Sequence, residues 1–162
     1  MARPGLTPRR LTADDLTVAD ALDLMRAAFA YMDGRIEPPS SIHRLDLGAL
    51  RTACTEAEVW ALGHPLLAVV VLTPRPTCLY LGKLAVDPAH RGEGLARILV
   101  DHAATRAAAL GLSAIELEVR IELTDNQQAF VAMGFSEVAR TAHPGFDRPT
   151  SITMRRTVSP LC

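Results

Sequence analysis

The 162-residue sequence lacks what several classes of protein depend on. Positive charge is not in excess: 17 Lys and Arg stand against 18 Asp and Glu, a formal net charge of −1. That excludes binding of nucleic acid through a broad basic surface. There is no long apolar run. The longest, Pro65–Leu72 ("PLLAVVVL"), is far short of the roughly 20 residues that cross a bilayer, and reads as a buried strand. Arg9–Arg10 is followed by "LTADDLTVAD", whose three aspartates interrupt any apolar stretch, so no export signal is read. Cysteine is scarce. Cys54, Cys78 and Cys162 are odd in number and form no C-x-x-C, which indicates neither a disulfide framework nor a zinc site. No His and carboxylate pair has metal-ligand spacing, so no metal is expected. A reducing cytoplasm suits this composition. Internal repeats and low-complexity segments are also absent.

What is present is ordinary for a soluble globular chain: 49% hydrophobic and 22% charged residues, a length suited to one domain over 1–162. Residues 6–11 read as a short strand. Residues 12–32 read as a helix with Asp15 or Thr17 as its cap and an apolar stripe of Val18, Leu22, Leu24, Met25, Ala28 and Phe29. A breaker-rich loop ("DGRIEPPSS") precedes a weaker helix at 45–56. Strands are expected at 58–62 and 66–72, joined by a hairpin at Gly63-His64-Pro65, and at 78–86. A helix runs to about Leu110, ended by Gly111. A strand at 114–119, a short helix from Asp125 or Asn126 to Gly134, and strands at 136–140 and 151–157 complete the chain. The order β-α-α-β-β-β-α-β-α-β-β calls for an antiparallel meander, then two βα units with locally parallel strands. A mixed sheet with helices on its faces follows.

The stretch "DPAHRGEGLARILV", residues 87–100, places Arg91, Gly92 and Gly94 at the mouth of a helix. A helix N-terminus offers free N–H groups and about half a positive charge. Glycine there lets an anion approach the backbone closely, and Arg91 adds fixed charge, a combination suited to a diphosphate. Two other phosphate motifs fail. No G-x-x-x-x-G-K-[ST] occurs, and Arg97 stands where the dinucleotide fingerprint needs its third glycine.

The larger stretch "LYLGKLAVDPAHRGEGLARILV" resembles the GNAT superfamily of N-acetyltransferases. Arg91, Gly94 and Ala96 match its Q/R-x-x-G-x-G/A signature; Leu84-Ala85-Val86, Asp87-Pro88 and Arg91-Gly92 match the strand end and loop around it. "DNQQAFVAMGF" is similar to the family's second half-site, and the element order also agrees. The resemblance implies an α/β (α+β) fold with a mixed, mostly antiparallel twisted sheet and helices on both faces. It implies acetyl-coenzyme A as co-substrate and a small-molecule or peptide amine as acceptor. Nucleic acid and membrane are not expected as partners, and a homodimer is left open. The N–H groups of Arg91, Gly92, Glu93, Gly94, Leu95 and Ala96 would grip the pyrophosphate. The backbone of Leu84, Ala85 and Val86 would bind the pantetheine arm, with the Leu84 N–H at the thioester oxygen as an oxyanion hole. Asn126 and Phe130 would contact the coenzyme arm.

Many members of this family place a tyrosine acid where this sequence has Phe130, and a phenyl ring donates no proton. Tyr80 and His143 are the candidate substitutes. Glu116 and Glu118 alternate with apolar residues and read as the wet face of a strand, Glu122 as a solvated residue, and His90 and His102 as surface or boundary residues. The loop at 31–44 is the expected acceptor wall. Asp33 and Glu37 suit a cationic amine, Arg35 and Arg44 a carboxylate, and charge alone does not choose. An acetyl transfer to an amine through a ternary complex is the leading expectation. A non-catalytic acyl-CoA-binding module and an oligomeric scaffold are the alternatives.

Overall fold

The computed structural model describes residues 6–159. Eleven helices and strands follow in the expected order: β1 (Arg9–Arg10), α1 (Thr17–Phe29), α2 (Leu47–Glu56), β2 (Glu58–Leu62), β3 (Ala68–Pro74), β4 (Leu79–Val86), α3 (Leu95–Ala109), β5 (Ala114–Arg120), α4 (Thr124–Ala132), β6 (Ser136–Thr141) and β7 (Ser151–Thr157). Short 3₁₀ turns sit at Ala30–Met32, Ser41–Arg44 and Pro88–His90.

One seven-stranded sheet has the order β1-β2-β3-β4-β5-β7-β6. All neighbours are antiparallel except β4 and β5. The second expected parallel contact is not made directly. β7 inserts between β5 and β6 and runs antiparallel to both, so those two strands keep the same direction without touching.

The apolar run on β3 is buried on both faces, as its lack of alternation demands. Val69 joins a core with Val18, Ala21, Leu22 and Met25 of α1 and Leu50 and Cys54 of α2. Ala68, Val70 and Leu72 join the opposite core, with Leu95, Leu99, Val100 and Ala103 of α3. Each fully buried leucine or valine here is worth about 1.5–3 kcal/mol against exposure, so both helix layers are held to the sheet mainly by these side chains.

The ends of elements depart from expectation for local reasons. The first strand keeps only Arg9–Arg10 of the expected 6–11, pairing with Trp60 and Ala61 at the sheet edge. α1 starts at Thr17, whose N–H donates to the Asp15 carboxylate at 2.9 Å. α2 starts at Leu47 because Asp46 caps it, accepting from the Ala49 N–H at 2.8 Å. α4 begins at Thr124 without a side-chain cap, so neither Asp125 nor Asn126 caps it. Glu118 is exposed on β5, whereas Glu116 is half-buried by an ion pair with Arg155 at 2.6 Å. Cys54 and Cys78 are buried free thiols; Cys162 lies outside the described residues.

Candidate active site

β4 and β5 pair only at Leu79↔Ile115 and Tyr80↔Glu116. Beyond Tyr80 the strands part. The β5-facing backbone groups of Gly82–Val86 then have no strand partner among the described residues. A bulge marks the parting: Val69 faces Ala85 while Val71 faces Gly82, so two residues of β4 oppose the single Val70. One of those two is Lys83, at φ +53°, the one non-glycine residue at positive φ among the described residues. Such a conformation persists only where the surroundings impose it. The gap between the strands opens into a cavity of about 1070 Å³, lined by β4 from Tyr80 to Val86, the end of β5, α4, the end of α1 and the loop at 35–44.

The glycine loop stands at one mouth of this cleft. The Asp87 carboxylate accepts from the Ala89 N–H at 2.9 Å and turns the chain out of β4. Gly92 and Gly94 both have φ +80°, and a Cβ on either would meet nothing within 4 Å. Their glycine identity therefore serves the backbone conformation, and the approach to the loop is open. The first bond of α3 runs from the Ile98 N–H to the Gly94 carbonyl at 3.2 Å, which leaves the N–H groups of Leu95, Ala96 and Arg97 without helical acceptors. Arg91 is anchored, donating to the Ala28 carbonyl at 2.9 Å, with its guanidinium 5.0 Å from the Tyr31 ring centroid. An extended ligand ending in a diphosphate fits this set: an unpaired strand edge, then bare N–H groups at a helix start.

Of the residues expected at the donor site, Leu84, Ala85, Val86, Arg91, Ala96, Asn126 and Phe130 line the cavity. Gly92, Glu93 and Gly94 form its exposed rim, and the Leu95 side chain is buried in the core. Phe130 has one side on the cavity and the other against Phe135, ring centroids 5.7 Å apart at 73°. Asn126 does not cap its helix. Its Nδ2 donates to the Tyr31 hydroxyl at 2.8 Å, across the cleft.

Tyr80 and His143 both line the cavity. Burial pushes the Tyr80 hydroxyl up to about 12, the Glu118 charge adds to this, and Arg75, 3.9 Å above the ring, opposes it. His143 is held by Thr150. The Thr150 hydroxyl oxygen accepts from the His143 backbone N–H at 2.9 Å, is hydrogen-bonded to Nδ1, and reaches the Thr141 carbonyl at 3.4 Å. A hydroxyl has one proton. With that proton on Thr141, Nδ1–H donates to Thr150 and the Nε2 lone pair is left for the cavity. Burial lowers the His143 pKa, helped by Arg120 and Arg44 and opposed by Glu118 and Glu122.

On the acceptor wall, Arg35 and Arg44 line the cavity, whereas Asp33 and Glu37 are outside its lining. Asp33 is turned to His43, its carboxylate hydrogen-bonded to Nε2 at 2.7 Å. The Glu37 N–H donates to Glu122 Oε2 at 3.1 Å, so Glu122 fastens this wall to the end of β5. His90 pairs with Glu93 at 3.0 Å on the rim, and His102 packs edge-on against Trp60 at 4.1 Å, away from the cleft.

Three lining residues escaped the sequence reading. Tyr31 and Arg120 carried no local signal. Lys83 did: it is the only lysine in a sequence whose 17 basic residues are otherwise all arginine.

The sequence matches the acetyltransferase (GNAT) family over residues 21–135. The chain belongs to that family, and with it to the acyltransferases that use an acyl-coenzyme A donor. Among curated proteins none matches the sequence. The fold is similar to that of the PaiA N-acetyltransferase of Thermoplasma acidophilum, solved with coenzyme A: TM-score 0.78 at 12% identity, covering 97% of this chain and 99% of that one. It is similar to the ribosomal-protein-S18-alanine N-acetyltransferase of Escherichia coli, TM-score 0.68 at 20% identity, covering 97% and 96%. A GNAT acetyltransferase of Elizabethkingia anophelis, solved with acetyl-CoA, has TM-score 0.68 at 13% identity, covering 96% and 100%. Among the described residues no helix is long and apolar enough to cross a membrane.

Proposed function

We propose that this chain, as one cytoplasmic domain over 1–162, transfers an acetyl group from acetyl-CoA directly to an amine bound in the same cleft. The observation that carries the reading is the continuity between the unpaired edge of β4 and the bare N–H groups that open α3. The edge at Leu84, Ala85 and Val86 takes the pantetheine arm as an added strand. The N–H groups of residues 91–96 take the pyrophosphate, with Arg91 beside them. The thioester supplies an activated acyl carbonyl.

The chain's own groups then have three tasks. The Leu84 N–H is offered to the carbonyl oxygen, where negative charge develops. The Nε2 of His143 takes the proton that the amine loses. The Tyr31 hydroxyl hands its proton to the departing sulfur. Tyr31 accepts from Asn126, so its own proton is uncommitted at that bond, and Asn126 lies one helical turn before Phe130. Tyr80 is a poor donor, because burial raises its phenol to about 12 and it gives up its proton reluctantly.

Turnover of acetyl-CoA with a panel of amines, followed as free thiol, together with calorimetric titration of coenzyme A, tests the reading. Binding with thiol release supports it. Binding without thiol release from any amine would leave a non-catalytic acyl-CoA module. No binding at all would leave a scaffold.

A further inference from the structure

Away from the glycine loop, the cavity lining carries Arg35, Arg44, Lys83 and Arg120 against Glu118 and Asp125 among the described residues. Three of these cations are brought together from distant parts of the chain. Lys83 comes from the β4 bulge, and its Nζ donates to the Ser41 hydroxyl. Arg120 ends β5 and donates to the carbonyls of Pro38 and Pro39, at 2.6 and 3.1 Å. Arg44 closes the 3₁₀ turn at Ser41–Arg44. No carboxylate of the described residues lies within ion-pair distance of any of the three; Glu122 Oε2 is taken by the Glu37 N–H.

We propose that this wall of the cleft binds the acceptor by an anionic group, a carboxylate or a phosphate on the same molecule as the amine, held by Lys83, Arg44 and Arg120. The proposal rests on the acyl-transfer reading above and names its substrate class.

The donor count supports it. A guanidinium has five N–H donors and an ammonium three. Arg120 commits two groups to backbone carbonyls and Lys83 one donor to Ser41. The Arg44 guanidinium has no hydrogen-bond partner among the described residues. Surplus donors therefore converge on one wall. The charge on Lys83 is also unbalanced: burial lowers its pKa, and Arg44 and Arg120 lower it further. An anion among them would relieve that repulsion. The same anion would orient the amine toward the parted strands, because Lys83 is the residue before Leu84. A purely cationic acceptor would meet repulsion at this wall. Asp33, the acid that would have attracted one, lies outside the lining and is hydrogen-bonded to His43.

Lys83 being the only lysine, isotope-labelled lysine yields one side-chain NMR signal from the whole protein. The experiment titrates this signal with alanine and with alaninamide, and with phosphoethanolamine and with ethanolamine. Wild type and Arg44→Gln are compared, with and without coenzyme A. Calorimetry of coenzyme A and melting curves run alongside. The expected result is a saturable shift with at least one of the two acids, and binding of its neutral-group counterpart weaker by roughly tenfold or more, the scale of one charge-assisted hydrogen bond. Arg44→Gln should lose that preference while melting like wild type. Comparing alanine with phosphoethanolamine identifies carboxylate or phosphate. The proposal is overturned if neither acid moves the signal, if the counterparts bind as well, or if Arg44→Gln weakens acid and counterpart equally. If an acid binds and coenzyme A does not, the acyl-transfer reading falls and the anion site stands. If coenzyme A binds and no acid does, the reverse holds.

Discussion

The phenol oxygen of Tyr31 accepts a 2.8 Å hydrogen bond from Nδ2 of Asn126, joining the 3₁₀ turn after α1 to the first turn of α4 across the cleft. Two guanidinia flank the same ring, Arg91 at 5.0 Å and Arg35 at 5.6 Å from its centroid. Tyr31 is thus held by groups from both walls, with its hydroxyl beside the helix that carries Phe130.

If Tyr31 is the acid, Tyr31→Phe lowers kcat by roughly ten- to a hundredfold, at or below the low end of the range for positioned acid catalysis because a thiolate leaves well. The KM for acetyl-CoA should change little. Adding Phe130→Tyr in that background should recover part of kcat, since it returns a hydroxyl to α4. Steady-state kinetics of the single and double variants decide this. A wild-type kcat in Tyr31→Phe would reduce the residue to a strut between the walls.

Gly94 separates charge from strain. Gly94→Ala introduces a side chain at φ +80° with nothing within 4 Å to clash, so its cost is the left-handed conformation alone, about 1–2 kcal/mol. Gly94→Asp carries similar strain and adds a negative charge. Against a diphosphate, coenzyme A affinity should fall at least about tenfold further than in the alanine variant. Equal affinities of the two variants in a calorimetric titration would mean that no phosphate lies at this loop.

His143 should set the acid limb of the rate profile. The working base is the neutral ring, and its pKa is lowered by burial, then by Arg120 and Arg44, with Glu118 and Glu122 opposing. A lowered pKa keeps the ring neutral to lower pH. Activity therefore persists below the ordinary imidazole value of about 6.5 and falls only as pH drops through the lowered pKa. In kcat/KM against pH, Arg44→Gln should move the limb upward and His143→Gln should abolish it. An unchanged limb in His143→Gln would remove the residue from the proton pathway.

A stability prediction concerns Glu58, only 5% exposed. It accepts from Arg106 at 2.9 and 2.7 Å and from the Trp60 indole at 2.8 Å. Burial pushes its pKa up, but the bonds from Arg106 and Trp60 and the charges of Arg106 and Arg10 outweigh this, and the net shift is downward. A carboxyl depressed in the fold stabilises above its unfolded pKa, about 4.3, and loses that stabilisation as pH falls through the folded value. Glu58→Gln should cost about 1–3 kcal/mol at pH 7 in urea unfolding. The difference from wild type should shrink below about pH 4. A gap that stays constant down to pH 3 would contradict the charge-based account.

The glycine loop was legible because its signal is local: Arg91, Gly92 and Gly94 at the start of an apolar helix act through the backbone of a few consecutive residues. The strands β2 and β7 fell within the expected limits because apolar and breaker residues bound them directly. Element ends were less legible where a single cap decides, as Asp46 does for α2. What only the tertiary structure decided are relationships across the chain. Asn126 has the composition of a helix cap, yet its amide is spent on Tyr31, 95 residues away in sequence. The parting of β4 from β5, and the insertion of β7 between β5 and β6, follow from strand pairing and leave no mark on either strand's own residues. In the sequence Lys83 stands out only as the sole lysine, Arg44 only as one charge of a mixed loop and Arg120 not at all. They become one cationic wall only when the bulge, the end of β5 and the 3₁₀ turn face the same cavity, because local propensity sets conformation while side-chain convergence is set by how the layers pack.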